Sequence, residues 1–510
     1  MKDSNNTKMD KSGGNTHPPR FSIHRSLRGV TIFGLSGVLV VLSCVTYFDT
    51  GLLLPPPKPK AVGDYNRSTT LENFEFSSLE GYPAPSAVYS PATVPLRSPE
   101  NETARDNFTL GNEFLMPNSS FETSESVKGN NSGGIGIGET GQKKEKEKKQ
   151  QLGQCDLSVG TWVWDESYPI YQSQNCPFID GGFLCQENGR PDRDYLKWRW
   201  QPSDCDLPRF DAWKFLESIR NRRLVFVGDS IGRNHWESMV CMLAEAVPNK
   251  TRIYEVNGNP ITKHKGFLSF RFEDYNCTVE YYRSPFLVYQ GHPPRGSSPQ
   301  VRMTLKLDVM DYTSNLWVNG DILVFNTGHW WNYEKTLKGG CYFEEGGTVH
   351  MDMDIETAFK RSFRTWVEWV RRRVNSEKTH VFLRSYAPVH FREGTWKTGG
   401  QCHKETWPDL NSSSLHSESE PLSNQIMFEA IQQLHDTKNV QFLNITYLAQ
   451  MRRDGHASIY YFGKGHGPAP LHRQDCSHWC LPGVPDTWNH LLYGYLLARG
   501  YVEQGTITRK

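Results

Sequence analysis

A hydroxyl, an imidazole and a carboxylate lying far apart in the chain offer the clearest chemistry in this sequence. Ser230 follows the apolar run Leu224, Val225, Phe226, Val227 through Gly228 and Asp229. A helical pattern opens directly after it, through Gly232, Arg233, Trp236, Met239, Val240 and Leu243. A serine between a strand's end and a helix's start sits where backbone N–H groups converge, which suits a nucleophile whose reaction makes an oxyanion. Near the C-terminus, Asp475 and His478 stand three residues apart in the stretch from Gln474 to Gly483. That spacing can set a carboxylate against one imidazole nitrogen and leave the other to face a nucleophile. A hydroxyl attacks poorly until a base takes its proton, and the base needs orienting. Ser230, Asp475 and His478, in that chain order, are therefore the candidate catalytic residues.

Other residues compete for or support these roles. His235 and His329 are alternative bases. His235 lies five residues beyond Ser230, in the expected helix, and points away from Ser230 in this reading, whereas His329 follows a strand end and shapes the pocket. Asn326, at the same strand end, is a candidate oxyanion donor, with a turn-capping Asn as the rival reading. Cys402, His403, Cys476, His478 and Cys480 could be drawn as a zinc site. In an oxidising compartment those cysteines pair as disulfides instead and stiffen the loop that carries His478. Trp330, Trp331, Trp479 and Trp488 flank these elements, either as rings that stack on sugars or as core.

The elements that must position these residues begin at about 210. Strands are expected at 224–227, 268–272, 278–282, 321–326, 380–383 and 440–445. Helices are expected at 233–246, 353–374, 424–435 and 488–499, the second with Ile355, Phe359, Phe363, Trp366, Val370 and Val374 on one face. Such alternation predicts an α/β domain at 209–503 with a parallel sheet covered on both faces, and a site at the carboxyl ends of its strands. Three strand ends qualify: Ser230, Asn326 with Gly328 and His329, and Arg384 with Ser385. Ahead of the domain, 153–208 is dense in Cys and Trp and reads as a small disulfide-tied lobe packed on the larger domain.

The N-terminal third is different in kind. Residues 29–48 form one uncharged run of bilayer-spanning length, preceded by Arg20, His24, Arg25 and Arg28 and followed by Asp49. This reads as an uncleaved signal anchor after a cytosolic tail at 1–28. The run is long for a cleaved signal peptide, which is the rival reading. Residues 49–152 are rich in Pro, Ser, Thr, Asn and Gly, and read as a disordered lumenal stem; 504–510 is a short C-terminal tail. Of 11 cysteines, ten lie beyond the run. Among them Cys155, Cys176, Cys185, Cys205, Cys241, Cys402, Cys476 and Cys480 are the candidates for structural disulfides, with the pairing open. Several N-x-S/T triplets, such as those at Asn66, Asn249 and Asn444, agree with a glycoprotein of the lumen. A net charge of +1 across 510 residues gives no support to a nucleic-acid partner.

Taken together, the segments Val227 to Ser230 and Asp475 to Gly483 resemble the paired GDS and DxxH motifs of the plant trichome-birefringence-like family. So do Cys155–Asp156 with Gly160–Thr161–Trp162, Gly189 to Asp192, Trp198 to Pro202, Asn326 to Trp331, and Asp454–Gly455–His456. The resemblance runs from Cys155 to the end, with His235 where the family usually has Gln. It implies a three-layer α/β/α fold akin to the GDSL/SGNH esterases, with a smaller N-terminal lobe. It also implies a single-pass type II Golgi protein that O-acetylates a cell-wall polysaccharide such as xylan, mannan, xyloglucan or pectin. On it, Ser230 is the nucleophile, His478 the base and Asp475 its orienter, while Gly228 and Asn326 hold the oxyanion. Asp229, Arg233 and Asn234 complete the motif, and His329, Trp330 and Trp331 border the substrate. The implied reaction calls for no metal and no bound cofactor, only an acetyl donor, acetyl-CoA or a lumenal acetyl carrier. An acetyl-donor transporter or carrier protein would be a partner. An acetylesterase using the same residues and a non-catalytic glycan-binding protein are the alternatives.

Overall fold

The structure, a computed structural model, describes residues 152–410 and 421–502. The expected cytosolic tail, the anchor at 29–48, the stem to 151 and the C-terminal tail at 504–510 lie outside the described residues. Among the described residues no helix is long and apolar enough to cross a membrane.

The N-terminal lobe is built on a hairpin of β1 (Gly160–Trp164) and β2 (Trp198–Pro202), with Trp162 opposite Trp200 in the register. The larger domain then opens with α1 (Ala212–Ser218), β3 (Arg223–Gly228) and α2 (Ser230–Ala244). There follow β4 (Ile253–Glu255), β5 (Phe267–Phe272), β6 (Cys277–Arg283), β7 (Val288–Gly291), β8 (Met303–Met310), β9 (Ile322–Phe325), β10 (Cys341–Glu345) and β11 (Thr348–His350). Next are α3 (Ile355–Arg373), β12 (His380–Arg384), α4 (Leu422–Gln433) and β13 (Val440–Leu443). The chain closes with β14 (His456–Ser458), β15 (Asp475–Trp479) and α5 (Val484–Ala498).

Seven strands form the central sheet in the order β13-β12-β9-β3-β6-β5-β4. Strands β13, β12, β9, β3 and β6 run parallel. The apolar runs of β3, β9 and β12 are continuous because both faces are covered. Leu224 and Phe226 of β3 enter one core with α2 and α5, whereas Val225 and Val227 enter the other with α3 and α4. Contrary to the expected parallel sheet, β5 and β4 are antiparallel, so the sheet is mixed. The connection from β5 to β6 is a single tight turn at Glu273–Tyr275 closed by left-handed Asn276. That is too short for the crossover that parallel neighbours need. A second sheet, β11-β10-β8-β7, lies beside α3 on the other face, so the layer there is not purely helical.

Helix α2 is buried from Ile231 to Ala244, held between the sheet, α5 and the N-terminal lobe. Four disulfides tie these parts: Cys155–Cys205 within the lobe, Cys176–Cys241 from lobe to α2, Cys185–Cys480 from lobe to the residue after β15, and Cys402–Cys476 across to β15. All eight candidate cysteines are therefore paired, which leaves none of those thiols to bind zinc. Cys277 and Cys341, which are not among those candidates, are free and buried in β6 and β10.

Candidate active site

Strand β3 is the point where the chain first enters the sheet, with β6 laid on one side and β9 on the other. Crevices at such switch points face the carboxyl ends of the strands, and Ser230 stands at that end as the first residue of α2. Asp229 makes the turn. Its Oδ1 accepts from Ile231 N at 3.0 Å and Gly232 N at 3.3 Å, capping the helix. Ser230 N makes no such bond among the described residues.

The structure brings Ser230, His478 and Asp475 together across 248 residues of sequence. His478 Nε2 is 2.8 Å from Ser230 Oγ and His478 Nδ1 is 2.8 Å from Asp475 Oδ2. The late stretch is not a free loop but β15, paired with β14 through an irregular register. Strand alternation would send Asp475 and His478 to opposite faces. Asp475 prevents this: its Oδ1 accepts from Ser477 N and His478 N, drawing the chain back over itself. Burial pushes the Asp475 carboxyl up. The His478 charge and hydrogen bonds from His478 and Ser477 outweigh burial and hold it well below the usual range.

Asn326 contacts the turn at Asp229 directly. Its Nδ2 donates to Asp229 Oδ1 at 2.7 Å, and its Oδ1 lies against Gly228 and Gly232 where any Cβ would collide. This bond makes Asn326 a brace for the nucleophile turn, and Gly228 serves by leaving room for it. On the other side of Asp229, His329 Nδ1 lies 3.5 Å from Oδ2. His329 Nε2 donates to Ala387 O at 2.9 Å and its ring stacks on Tyr386 at 4.2 Å. Burial also pushes the Asp229 carboxyl up, but His329, Arg384 and Asn326 together hold it well below the usual range.

The motif residues of α2 reach the surroundings of His478 rather than Ser230 itself. Asn234 Oδ1 accepts from Trp479 N at 2.8 Å and Nδ2 donates to Trp479 O at 3.2 Å. Arg233 pairs with Glu237 at 2.9 Å and Asp180 at 3.2 Å. Its guanidinium lies 5.0 Å from the Phe183 ring, and Phe183 packs 5.7 Å from the His478 ring. His235, the alternative base, is buried between Phe226 and Trp488, away from Ser230 Oγ's hydrogen bond. His456 Nδ1 donates to His478 O at 3.0 Å and takes a hydrogen bond on Nε2 from His390 Nδ1 at 2.7 Å. Burial brings the His456 imidazole down to about 4.

Residues 207–495 match the PC-Esterase family, the GDSL/SGNH-like acyl-esterase family found in Pmr5 and Cas1p, and 153–206 match PMR5N, the PMR5 N-terminal domain. Protein trichome birefringence-like 9 of Arabidopsis thaliana is 51% identical over 355 residues, 68% of this chain and 85% of the relative. Protein trichome birefringence-like 6 of the same plant is 49% identical over 360 residues, 70% of this chain and 73% of the relative. The chain belongs to the trichome-birefringence-like members of that acyl-esterase family. The fold of this family member is thus SGNH-like, with a disulfide-rich N-terminal region.

Of the four flanking tryptophans three are core, among them Trp331, expected to border the substrate. Trp331 is buried against Phe286, Phe343 and Phe359, with its Nε1 donating to Thr327. Trp479 and Trp488 are fully buried and packed on each other at 5.8 Å. Only Trp330 of the four keeps part of its ring accessible. Two further residues lie near the site, one of them not evident from the sequence and the other named there only as a strand end. Phe183 comes from the other lobe, and its only local signal is Cys185, whose bond to Cys480 sets it beside β15. Arg384 reads in the sequence merely as a strand end; it is fully buried over the Trp488 ring at 4.8 Å, with no hydrogen-bond partner among the described residues.

Proposed function

We infer that this chain is a polysaccharide O-acetyltransferase working through an acetyl-serine intermediate at Ser230. The observation that carries the reading is the continuous hydrogen-bond line from Ser230 Oγ through His478 to Asp475, each link 2.8 Å. In the first step Ser230 Oγ bonds to the donor's acetyl carbon while its proton passes to His478 Nε2. The bond from that carbon to the donor's leaving group breaks, and the leaving group collects the proton. In the second step a sugar hydroxyl gives its proton to His478 and attacks the same carbon, and Ser230 is released with its proton restored. Asp475, kept ionised, holds Nδ1–H of the imidazole and stabilises the imidazolium between steps. The Ser230 N–H, free of an intrahelical partner at the start of α2, is aimed at the oxyanion.

The acceptor in this reading is a hydroxyl of a plant cell-wall polysaccharide, and the donor is acetyl-CoA or a lumenal carrier. The run at 29–48 would anchor the enzyme in the Golgi membrane with this domain in the lumen. An acyl-esterase transferring to water would use the same line, and the acyl-esterase character of the family makes it the second outcome to test. The purified lumenal portion is incubated with an acetyl donor, with and without cell-wall oligosaccharides, and products are read by mass spectrometry. The expected result is an acetylated peptide containing Ser230 that is discharged by an oligosaccharide, with both signals absent in Ser230→Ala. Donor loss that ignores the oligosaccharide points to the esterase; transfer by Ser230→Ala defeats the reading.

A further inference from the structure

Arg384, the last residue of β12, is a buried cation that the proposed reaction does not use. It is fully buried, and its Nε, Nη1 and Nη2 make no hydrogen bond among the described residues. The other buried arginines, Arg190, Arg233 and Arg452, each grip a carboxylate, at 2.8, 2.9 and 2.8 Å. A cation taken out of water is costly unless an opposite charge answers it. Burial pushes the Arg384 guanidinium down to about 10, which still leaves it charged at neutral pH.

The sheet register places an opposite charge beside it. Leu383, Phe325 and Val227 are aligned across β12, β9 and β3, and all three enter the core with α3 and α4. The residues that follow them, Arg384, Asn326 and Gly228, therefore close three neighbouring strands side by side. Alternation turns Arg384 to the opposite face, where it rests 4.8 Å over the ring of Trp488 in α5. Asp229 comes next after Gly228. Its Oδ1 takes three hydrogen bonds, from Ile231 N, Gly232 N and Asn326 Nδ2, while its Oδ2 takes none. An amide oxygen could accept the same three, so hydrogen bonding alone does not call for a carboxylate here. The charge of Arg384 does, and Asp229 is the one carboxylate that acts on it.

We propose that Arg384 is a positioning residue: it is the counter-charge of Asp229 and, through Asp229, holds the turn that carries Ser230. Ionised Asp229 caps α2 with charge-assisted bonds, which are about twice as strong as neutral ones. The other titratable groups facing Asp229 are His329 from the loop after β9, Tyr386 from the loop after β12, and Tyr281 of β6, whose hydroxyl donates to Asp229 O at 2.9 Å. Burial, then the Asp229 charge, raises the Tyr386 phenol to about 12, and burial raises that of Tyr281 as well. Both tyrosines are therefore neutral, and the permanent cation of the group is Arg384. The consequence for Ser230 rests on the proposed function; the pairing of the two charges does not.

The full chain is compared as wild type, Arg384→Met, Asp229→Asn and the paired variant, by infrared difference spectra, thermal melting and turnover of 4-nitrophenyl acetate. Arg384→Met should gain a carboxylic-acid band, as Asp229 takes up a proton, and the paired variant should lack that band. Its kcat should fall about five- to tenfold with KM little changed. Asp229→Asn strands the cation and should melt lower by about 5 °C or more. Adding Arg384→Met to it should raise the melting temperature and the rate again, a reversal that lost packing would not give. An Arg384→Met enzyme with no new band, or with normal kcat, overturns the inference. So does a paired variant that melts below Asp229→Asn. If Asp229→Asn fails to fold, folding of the paired variant supports the inference and its failure overturns it. A wild type that forms no acyl-enzyme at Ser230 defeats the proposed function alone, since the band and the melting temperatures are read without it.

Discussion

Asn234 grips the peptide of Trp479 from both sides, accepting from its N–H at 2.8 Å and donating to its carbonyl at 3.2 Å. Through this grip the helix that begins at Ser230 also fixes the residue next to His478. Ser230 and His478 thereby share one rigid reference, α2, instead of resting on two independent elements. Asn234→Ala leaves both groups of Trp479 buried and unpaired, at about 1–3 kcal/mol each. Small displacements of a base can cost about a hundredfold in rate. The variant is expected to lose about ten- to a hundredfold in kcat towards a small acetyl ester with KM little changed, while still folded at the assay temperature. Asn234→Asp should not restore the rate, because its second oxygen would face the Trp479 carbonyl. A KM effect with normal kcat would count against this positioning role.

The N-terminal lobe is part of the same support. Cys185–Cys480 fastens the lobe two residues beyond His478, and Leu481 N donates to Phe183 O at 2.9 Å. Replacing both cysteines by serine should lower stability by about 2–4 kcal/mol and also release Phe183 from His478. The paired change at Cys155 and Cys205 removes a disulfide internal to the lobe. Assayed well below their melting temperatures, the first double variant should lose acyl transfer much more than the second. Equal losses would make the lobe a source of stability only.

Much of this is legible in the sequence because it is local. The runs of β3, β9 and β12 read as buried strands because neighbours cover both faces. The turn at Gly228, Asp229 and Ser230 and the spacing of Asp475 and His478 carry their chemistry in a few residues. The illegible parts depend on partners distant in sequence. The antiparallel edge at β5 has one local trace, its short connection to β6. The strand β8 has another, a period-two alternation of Leu305 and Leu307 with Lys306 and Asp308. The pairing of Cys185 with Cys480 spans 295 residues and has no local trace. Nor does residue type tell core from cleft: Trp330 and Trp331 are adjacent, yet only the first remains partly open. Asn326 has the residue type of an oxyanion donor, and only its bond to Asp229 reveals the brace.

That brace requires two glycines. Asn326 Oδ1 occupies the space that a Cβ on Gly228 or Gly232 would need. Gly232→Ala must therefore push Asn326 off Asp229, at about 1–3 kcal/mol for overpacking, and disturb the cap that sets Ser230. The expected outcome is a lower melting temperature together with an acyl-transfer rate reduced at least about tenfold. Gly339→Ala is the control, since nothing lies near its added Cβ, and it should change neither. A Gly232→Ala enzyme with normal rate and stability would mean that Asn326 can leave Asp229 without consequence.

Asp486 should give the domain a pH-dependent stability. It joins three parts: Oδ1 accepts from Ser238 of α2 at 2.6 Å and from Tyr171 of the N-terminal lobe at 3.1 Å, and Oδ2 accepts from Gly483 N at 2.9 Å. Burial raises its carboxyl to about 7 against these three donors. The folded protein therefore holds a proton there that the unfolded chain releases near the ordinary Asp value of about 3.9. Between these values the native state binds the extra proton, so stability is greatest below about 4 and falls as pH rises through about 7. Glu237, on the same helix as Ser238 and with Arg233 and Asp180 facing it, is raised to about 8 by burial and adds a slope of the same sign. Asp486→Asn should remove only its own share. An amide can keep its oxygen on Gly483 N and turn its N–H groups to the two hydroxyls, which rotate to accept. Denaturant unfolding at pH 4.5 and pH 8 is expected to show the variant gaining on the wild type, on the order of a few kcal/mol, as pH rises. Parallel stability curves for the two proteins would mean that Asp486 is already ionised in the fold.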